Sequence, residues 1–320
     1  MKNTHWHILG AGSIGTLFGF YLQKAGVHIE LIKRDAFAGN LPHSTCVNIH
    51  LQGSKSINST IDSEESICFK HFRPSEASIK SINHLLIATK AHQTDQALAP
   101  IIPYLTDSPT VLVLQNGMGG VDLVSKLVPA ARILVGSTTE GANRPQPERL
   151  VHAGIGTTWI GSLEPMHQHL AQELVSDWQK LSLDINFDPH INQRLWQKLA
   201  INCAINPLTV LFNCNNGALL ENPEALALMQ QICDEVTEVI ARQPDLTADS
   251  GLFDTAKQVA EKTSANISSM LQDARAGRET EIDFINGFIE HKAGVLGLPC
   301  HTNAQLVKSI KQIHLAQKKA

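Results

Sequence analysis

The stretch ILGAGSIGTLFGFYLQKAG, residues 8–26, limits what this chain can fold into more than any other. A short apolar run, HWHIL, enters a turn with Gly10, Gly12 and Gly15 in GxGxxG spacing, and a helix-period segment follows directly. That segment places Ile14, Leu17, Phe18, Tyr21, Leu22 and Ala25 on one face, with Gly26 as its stop. Between a strand and a helix the glycines have distinct uses. The first allows a tight turn, the second lets backbone approach a pyrophosphate, and the third lets the helix pack closely on the strand. The helix N-terminus, with unpaired N–H groups and the positive end of its dipole, favours that anion. Gly10, Gly12, Ser13, Ile14 and Gly15 are therefore expected to hold a dinucleotide; a plain glycine turn is the competing reading.

The next strand, VHIELIKRD, ends on Lys33 and Arg34. An acidic residue there would bind the ribose hydroxyls of NAD, whereas arginine accommodates the 2′-phosphate of NADP. Arg34 thus predicts NADP(H), and Asp35 is read as a turn or capping residue. The runs HLLIATK, TVLVLQN and RILVGST alternate with helical segments, which implies a mostly parallel sheet of the Rossmann-type, doubly wound α/β class. Such sheets bind ligands at the carboxyl ends of their strands, where Lys90 and Asn116 stand. Asn116 before Gly117 is equally ordinary turn chemistry. LVHAGIGTTWIGS predicts a closing hairpin, and residues 39–75 predict the least regular part, peripheral strands and loops.

After about residue 188 strand-like runs vanish. Helical patterns follow at 191–205, 207–213, 223–242, 252–276, 279–297 and 302–317. The expected domains are residues 1–188, binding the nucleotide, and 189–320, all-helical, with Pro189 at the junction. A net charge of −4 without any run of Lys or Arg gives no footprint for nucleic acid or a membrane surface, so the expected partner is a small molecule. Neither a signal peptide nor an apolar stretch long enough to span a bilayer is present in the sequence, which predicts a cytoplasmic protein. The six cysteines lack zinc spacing and are expected to be reduced, and no metal is expected.

In RLWQKLAINCAINPLTVLFN, residues 194–213, a helix would be apolar almost all round, yet it carries Lys198 with Asn202 one turn on. Burying an ammonium costs several kcal/mol, on the order of what one buried ion loses, unless a pocket or partner offsets it. Snorkelling to the surface is the ordinary alternative. Asn206 before Pro207 suits an N-cap at the start of a new helix. In RETEIDFINGFI, Glu281 shares a helical stripe with Phe284, Ile285 and Phe288, which aims its carboxylate inward, while Glu279 and Asp283 fit a solvated first turn. Asn266 and Ser269 form a short polar edge one turn apart, although such residues at helix starts are usually caps. A lysine and a carboxylate beside a nicotinamide suit carbonyl reduction, in which negative charge grows on oxygen and a cation able to give a proton stabilises it.

These blocks, GAGSIGTLFG, LQNGMGG, LWQKLAINCAINPLTVLFNCNNG and ANISSMLQDARAGRETEIDFINGF, together resemble the ketopantoate reductases (2-dehydropantoate 2-reductases), which make pantoate for pantothenate and coenzyme A biosynthesis. The resemblance implies an NADPH-dependent oxidoreductase acting on a small 2-keto acid. It further implies Lys198 as general acid, Glu281 contacting the substrate hydroxyl and Lys198, and Ser269 binding the substrate carboxylate with Asn266 nearby. Asn202, Asn206 and Asn216 would line the substrate side, and Lys90 and Asn116 the cofactor and substrate cleft. His92 stands where relatives often carry an aromatic residue. A reductase of another 2-keto acid and a non-catalytic NADP sensor remain open, as does a homodimer.

Overall fold

The computed structural model describes residues 4–34, 42–56 and 59–318, without the side chains of 53–62. The chain forms two compact units, Met1–Gln115 with Gly120–Ile191, and Asn116–Gly119 with Asn192–Ala320. Asp35 lies outside the described residues.

The first unit is built on strands β1 (His5–Leu9), β2 (His28–Ile32), β3 (Ser44–Ser56), β4 (Ser59–His71), β5 (Ile82–Ile87), β6 (Leu105–Val113), β7 (Arg132–Thr138), β8 (Gly141–Gln146), β9 (Arg149–Gly154), β10 (Thr157–Gly161) and β11 (Asp184–Phe187). They form one sheet in the order β11-β10-β7-β6-β5-β1-β2-β4-β3-β9-β8. From β4 through β2, β1, β5 and β6 to β7 every pairing is parallel, which is the Rossmann strand order. Helices α1 (Ser13–Lys24), α2 (Thr94–Leu98), α3 (Gly120–Leu127) and α4 (Gln168–Trp178) connect its strands. Trp6, Ile8, Phe18, Leu22 and Trp178 lie in its core, each almost wholly buried.

Three expectations fail here. The described part of 39–75 is not peripheral: β3 and β4 are strands of thirteen residues each, inside the sheet order, while 39–41 and 57–58 lie outside the described residues. Val47, Ile49 and Phe69 are buried while polar residues occupy the other face, so the period of two is diluted by Ser, Lys and His. Within this pair Cys46 and Cys68 are directly opposite and joined by a disulfide, against the expectation of reduced thiols. Nor do β9 and β10 form a hairpin; β9 pairs with β8 and β3, and β10 with β7 and β11. A Cβ at Gly156, which links them, would meet the backbone of Glu140.

A buried chain of side chains ties α1 to this sheet. The Tyr21 hydroxyl lies 3.1 Å from His152 Nδ1, and His152 Nε2 lies 2.6 Å from Glu140 Oε2. Burial, with Glu140 nearby, pushes the Tyr21 phenol up to about 12, so it remains a donor.

The second unit contains α5 (Ile191–Leu211), α6 (Pro223–Ala241), α7 (Leu252–Lys262), α8 (Ser269–Arg275), α9 (Asn286–Leu296) and α10 (His301–Gln317). Helix α5 runs unbroken through Pro207, so Asn206 is not an N-cap. Proline at 207 cannot donate to the carbonyl four residues back, that of Cys203. Asn286 Nδ2 donates to that carbonyl instead, at 3.1 Å, and also to Asn303 Oδ1 at 2.9 Å. The helix survives its proline because another helix supplies the missing donor. The expected single helix 252–276 is interrupted at 263–268, where Gly217 N–H donates to Ser264 O and Asn216 N–H to Asn266 O.

Candidate active site

The glycine turn is shaped by backbone. Gly10 has φ +105°, and a Cβ there would lie 2.5 Å from Thr89 N; a Cβ at Gly15 would strike the Gly10 carbonyl. Gly12 differs, since a Cβ there would meet no protein atom within 4 Å. Protein packing explains the first and third glycines and leaves the middle one to a ligand. Gly12 is the N-cap of α1, which has no side-chain cap and no acidic residue in its first turn, so nothing charged competes for its N–H groups. The residues present therefore fit a dinucleotide pyrophosphate, with Ser13 and Ile14 in the first turn.

Around this turn the first unit adds groups that sequence spacing did not reveal. The Arg144 guanidinium, from β8, donates to Ala11 O and, at 3.3 Å, to Thr16 Oγ1. Burial holds its pKa below the usual arginine value. No local signal marks Arg144; it is 133 residues from Ala11 in the chain. Gln115 Nε2 bonds Thr89 O at 2.9 Å and Thr94 Oγ1 at 2.6 Å, joining the turns after β5 and β6. Lys90 follows Thr89 and caps a short 3-10 turn, half-buried. At the end of β2, Lys33 Nζ donates to Thr45 Oγ1 at 2.7 Å, and Arg34 is exposed.

In the second unit Lys198 is half-buried on α5. Burial is the largest influence on its amine and the Glu281 charge opposes it; the balance pulls the pKa down to about 8. Asn202, one turn on, is half-buried too. Glu281 does not belong to an inward helical stripe. It precedes a 3-10 turn, Ile282–Phe284, and Ile285 has non-helical φ and ψ, so α9 starts only at Asn286. The buried set is Ile282, Ile285 and Ile289, while Glu281 is half-buried. The turn instead receives the segment carrying Asn116, because Met118 N–H donates to Phe284 O at 2.8 Å. Gly117, at φ +76°, lies so close that a Cβ would strike the same carbonyl. Asn116, Lys198, Asn202 and Glu281 thus belong to one unit.

The remaining positions divide differently. Asn206 is buried within α5, its carbonyl accepting from Thr209 Oγ1 at 2.7 Å. Asn216 is buried and donates to Thr263 Oγ1 at 2.9 Å, holding the 263–268 loop. Asn266 and Ser269 are exposed. The cap of α8 is Ser268, which accepts from Leu271 N–H at 3.0 Å and shares a 2.6 Å hydrogen bond with the Thr209 hydroxyl.

Comparison with known proteins gives two matching family models, "Ketopantoate reductase PanE/ApbA" over residues 6–165 and "Ketopantoate reductase PanE/ApbA C terminal" over residues 190–314. The chain is a member of the ketopantoate reductase family. A 2-dehydropantoate 2-reductase from Vibrio cholerae is 33% identical, over 98% of this chain and 99% of the relative. Among solved structures, a PanE/ApbA family ketopantoate reductase from Ralstonia eutropha superposes with a TM-score of 0.83 at 23% identity, covering 98% of this chain and 100% of that one. A D-mandelate dehydrogenase superposes with a TM-score of 0.85 at 22% identity, covering 98% of this chain and 99% of the other. The ketopantoate reductase fold thus accounts for the α/β unit followed by helices. No described helix is long and apolar enough to cross a membrane.

Proposed function

We propose that the chain reduces 2-dehydropantoate to pantoate with NADPH, Lys198 acting as general acid and Glu281 setting its proton affinity and orienting the substrate. The observation that carries this reading is the Lys198 amine, lowered to about 8 by burial and opposed by Glu281, in a chain similar over its whole length to 2-dehydropantoate 2-reductases. NADPH supplies the hydride when bound. The Lys198 ammonium stabilises the oxygen that becomes negative and passes its proton to it. At neutral pH an amine of this pKa is mostly protonated, so the acid is ready, and it is weak enough to give the proton up.

For the cofactor, Gly10, Gly12, Ser13, Ile14 and Gly15 would hold the pyrophosphate, with Arg144 beside them and Lys90 at a neighbouring strand end. Exposed Arg34 would meet the 2′-phosphate. Asn116 and Asn202 fit the substrate side, on the same unit as Lys198. Ser269 and Asn266 would bind the substrate carboxylate, and Asn206 and Asn216 would shape the pocket from behind. The assembly expected is a homodimer, which sedimentation velocity tests.

The deciding experiment follows loss of NADPH absorbance with 2-dehydropantoate and a panel of other 2-keto acids, repeated with NADH. The highest kcat/KM is expected for 2-dehydropantoate with NADPH. A higher value on another acid would reassign the substrate, and cofactor binding without turnover on any acid would favour a sensor.

A further inference from the structure

The glycine turn follows one end of β1. The other end carries a cluster that carbonyl reduction does not use. Strands β1 and β2 are parallel neighbours in a register that sets His5 beside His28 and His7 beside Glu30. Because side chains alternate across a strand, residues two apart share a face, and these four form a two-by-two patch. The His5 ring centroid lies 4.2 Å from that of His7 and 4.2 Å from that of His28. His7 Nε2 is 3.4 Å from Glu30 Oε2, and His5 Nε2 is 3.9 Å from Glu30 Oε1. One ligand atom from each of His5, His7 and Glu30 lies within 4.8 Å of the others.

We propose that His5, His7 and Glu30 bind a divalent transition-metal ion, zinc by donor preference, with the fourth position open to water. Imidazole nitrogens with one carboxylate suit zinc, and donors about 2 Å from a tetrahedral ion stand roughly 3.4 Å apart, so shifts of about an ångström bring these groups onto one centre. An ion pair alone accounts for Glu30 beside His7, but it leaves His5 Nε2 buried without a hydrogen bond, 3.9 Å from Glu30 Oε1. His7 is almost wholly buried at the floor of the patch, and exposed His28 stands at its rim, which gives an ion access from solvent. The bound ion clamps β1 to β2. Its ligands on β1 lie three to five residues of strand, roughly 10–16 Å, from Gly10, so its role is structural. Spacing along the chain offers only a His-x-His pair; the site exists through strand register.

The test titrates chelator-treated, full-length protein with Zn2+ by calorimetry and with Co2+ by visible absorption. One ion per chain with micromolar or tighter affinity is expected, together with the absorption of a tetrahedral Co2+ centre and a raised Tm. His5→Ala, at the more exposed edge of the set, and near-isosteric Glu30→Gln should each weaken binding on the order of tenfold or more and diminish the Tm shift. No uptake at micromolar free ion would overturn the proposal. Uptake unchanged in both variants would do so as well, by placing the ion elsewhere.

Discussion

Replacing Asn286 by Ala removes the donor that completes α5 behind Pro207. Two acceptors then lose their partner, the Cys203 carbonyl and Asn303 Oδ1, in a place where Asn286 and Asn303 are both 0% exposed. Each unmet buried acceptor costs about 1–3 kcal/mol, so the variant should lose about 2–6 kcal/mol. That is a large share of the roughly 5–15 kcal/mol that holds a domain folded. Pro207→Ala supplies an N–H able to reach the Cys203 carbonyl by the ordinary helical bond. In the double variant about 1–2 kcal/mol of the loss should return. Urea unfolding followed by far-UV circular dichroism, on wild type, both single variants and the double variant, measures that coupling. If the effects add within about 0.5 kcal/mol, Asn286 does not replace the proline's missing donor, and the explanation of the unbroken helix is wrong.

Other outcomes follow from the same structure. Lys198→Ala should lower kcat by a factor on the order of 10² or more while NADPH affinity, read by fluorescence titration, is unchanged. Because Lys198 is active when protonated and its pKa is about 8, kcat should hold below that pH and fall as pH rises through it. Glu281→Gln removes the charge that raises this pKa and should move the falling limb to lower pH; a limb that stays put would show that Lys198 is not the titrating acid. Arg144→Ala should weaken NADPH binding by roughly 10- to 150-fold, the value of about 1.5–3 kcal/mol for a charge-assisted contact. Reducing the Cys46–Cys68 disulfide, which spans 22 residues, should cost about 3 kcal/mol, seen as a lower urea midpoint with dithiothreitol.

The glycine turn, the parallel strand order and the helical second half were legible because each rests on short-range rules: spacing of glycines, alternation of apolar runs, period of 3.6. Lys198 was legible for a related reason, as a charge in an otherwise apolar stretch. For Glu281 the helical period misleads. The helical stripe assumed for it is broken by the turn at 282–285, and its effect on Lys198 comes from tertiary placement. Ser269 drew attention by spacing, whereas the capping role falls to Ser268, a difference of one residue that backbone geometry alone decides.

Local sequence thus determined most of the strands and helices and the glycine turn between β1 and α1, since backbone sterics and burial periodicity act over a few residues. Tertiary structure decided everything that needs two distant segments to meet. Arg144 reaches the glycine turn, Asn286 serves the carbonyl freed by Pro207, Cys46 bonds Cys68, and strand register alone gathers His5, His7, His28 and Glu30. Hydrogen bonds, disulfides and ligand sets depend on distances in space, and one-dimensional spacing carries those only within a single helix or strand.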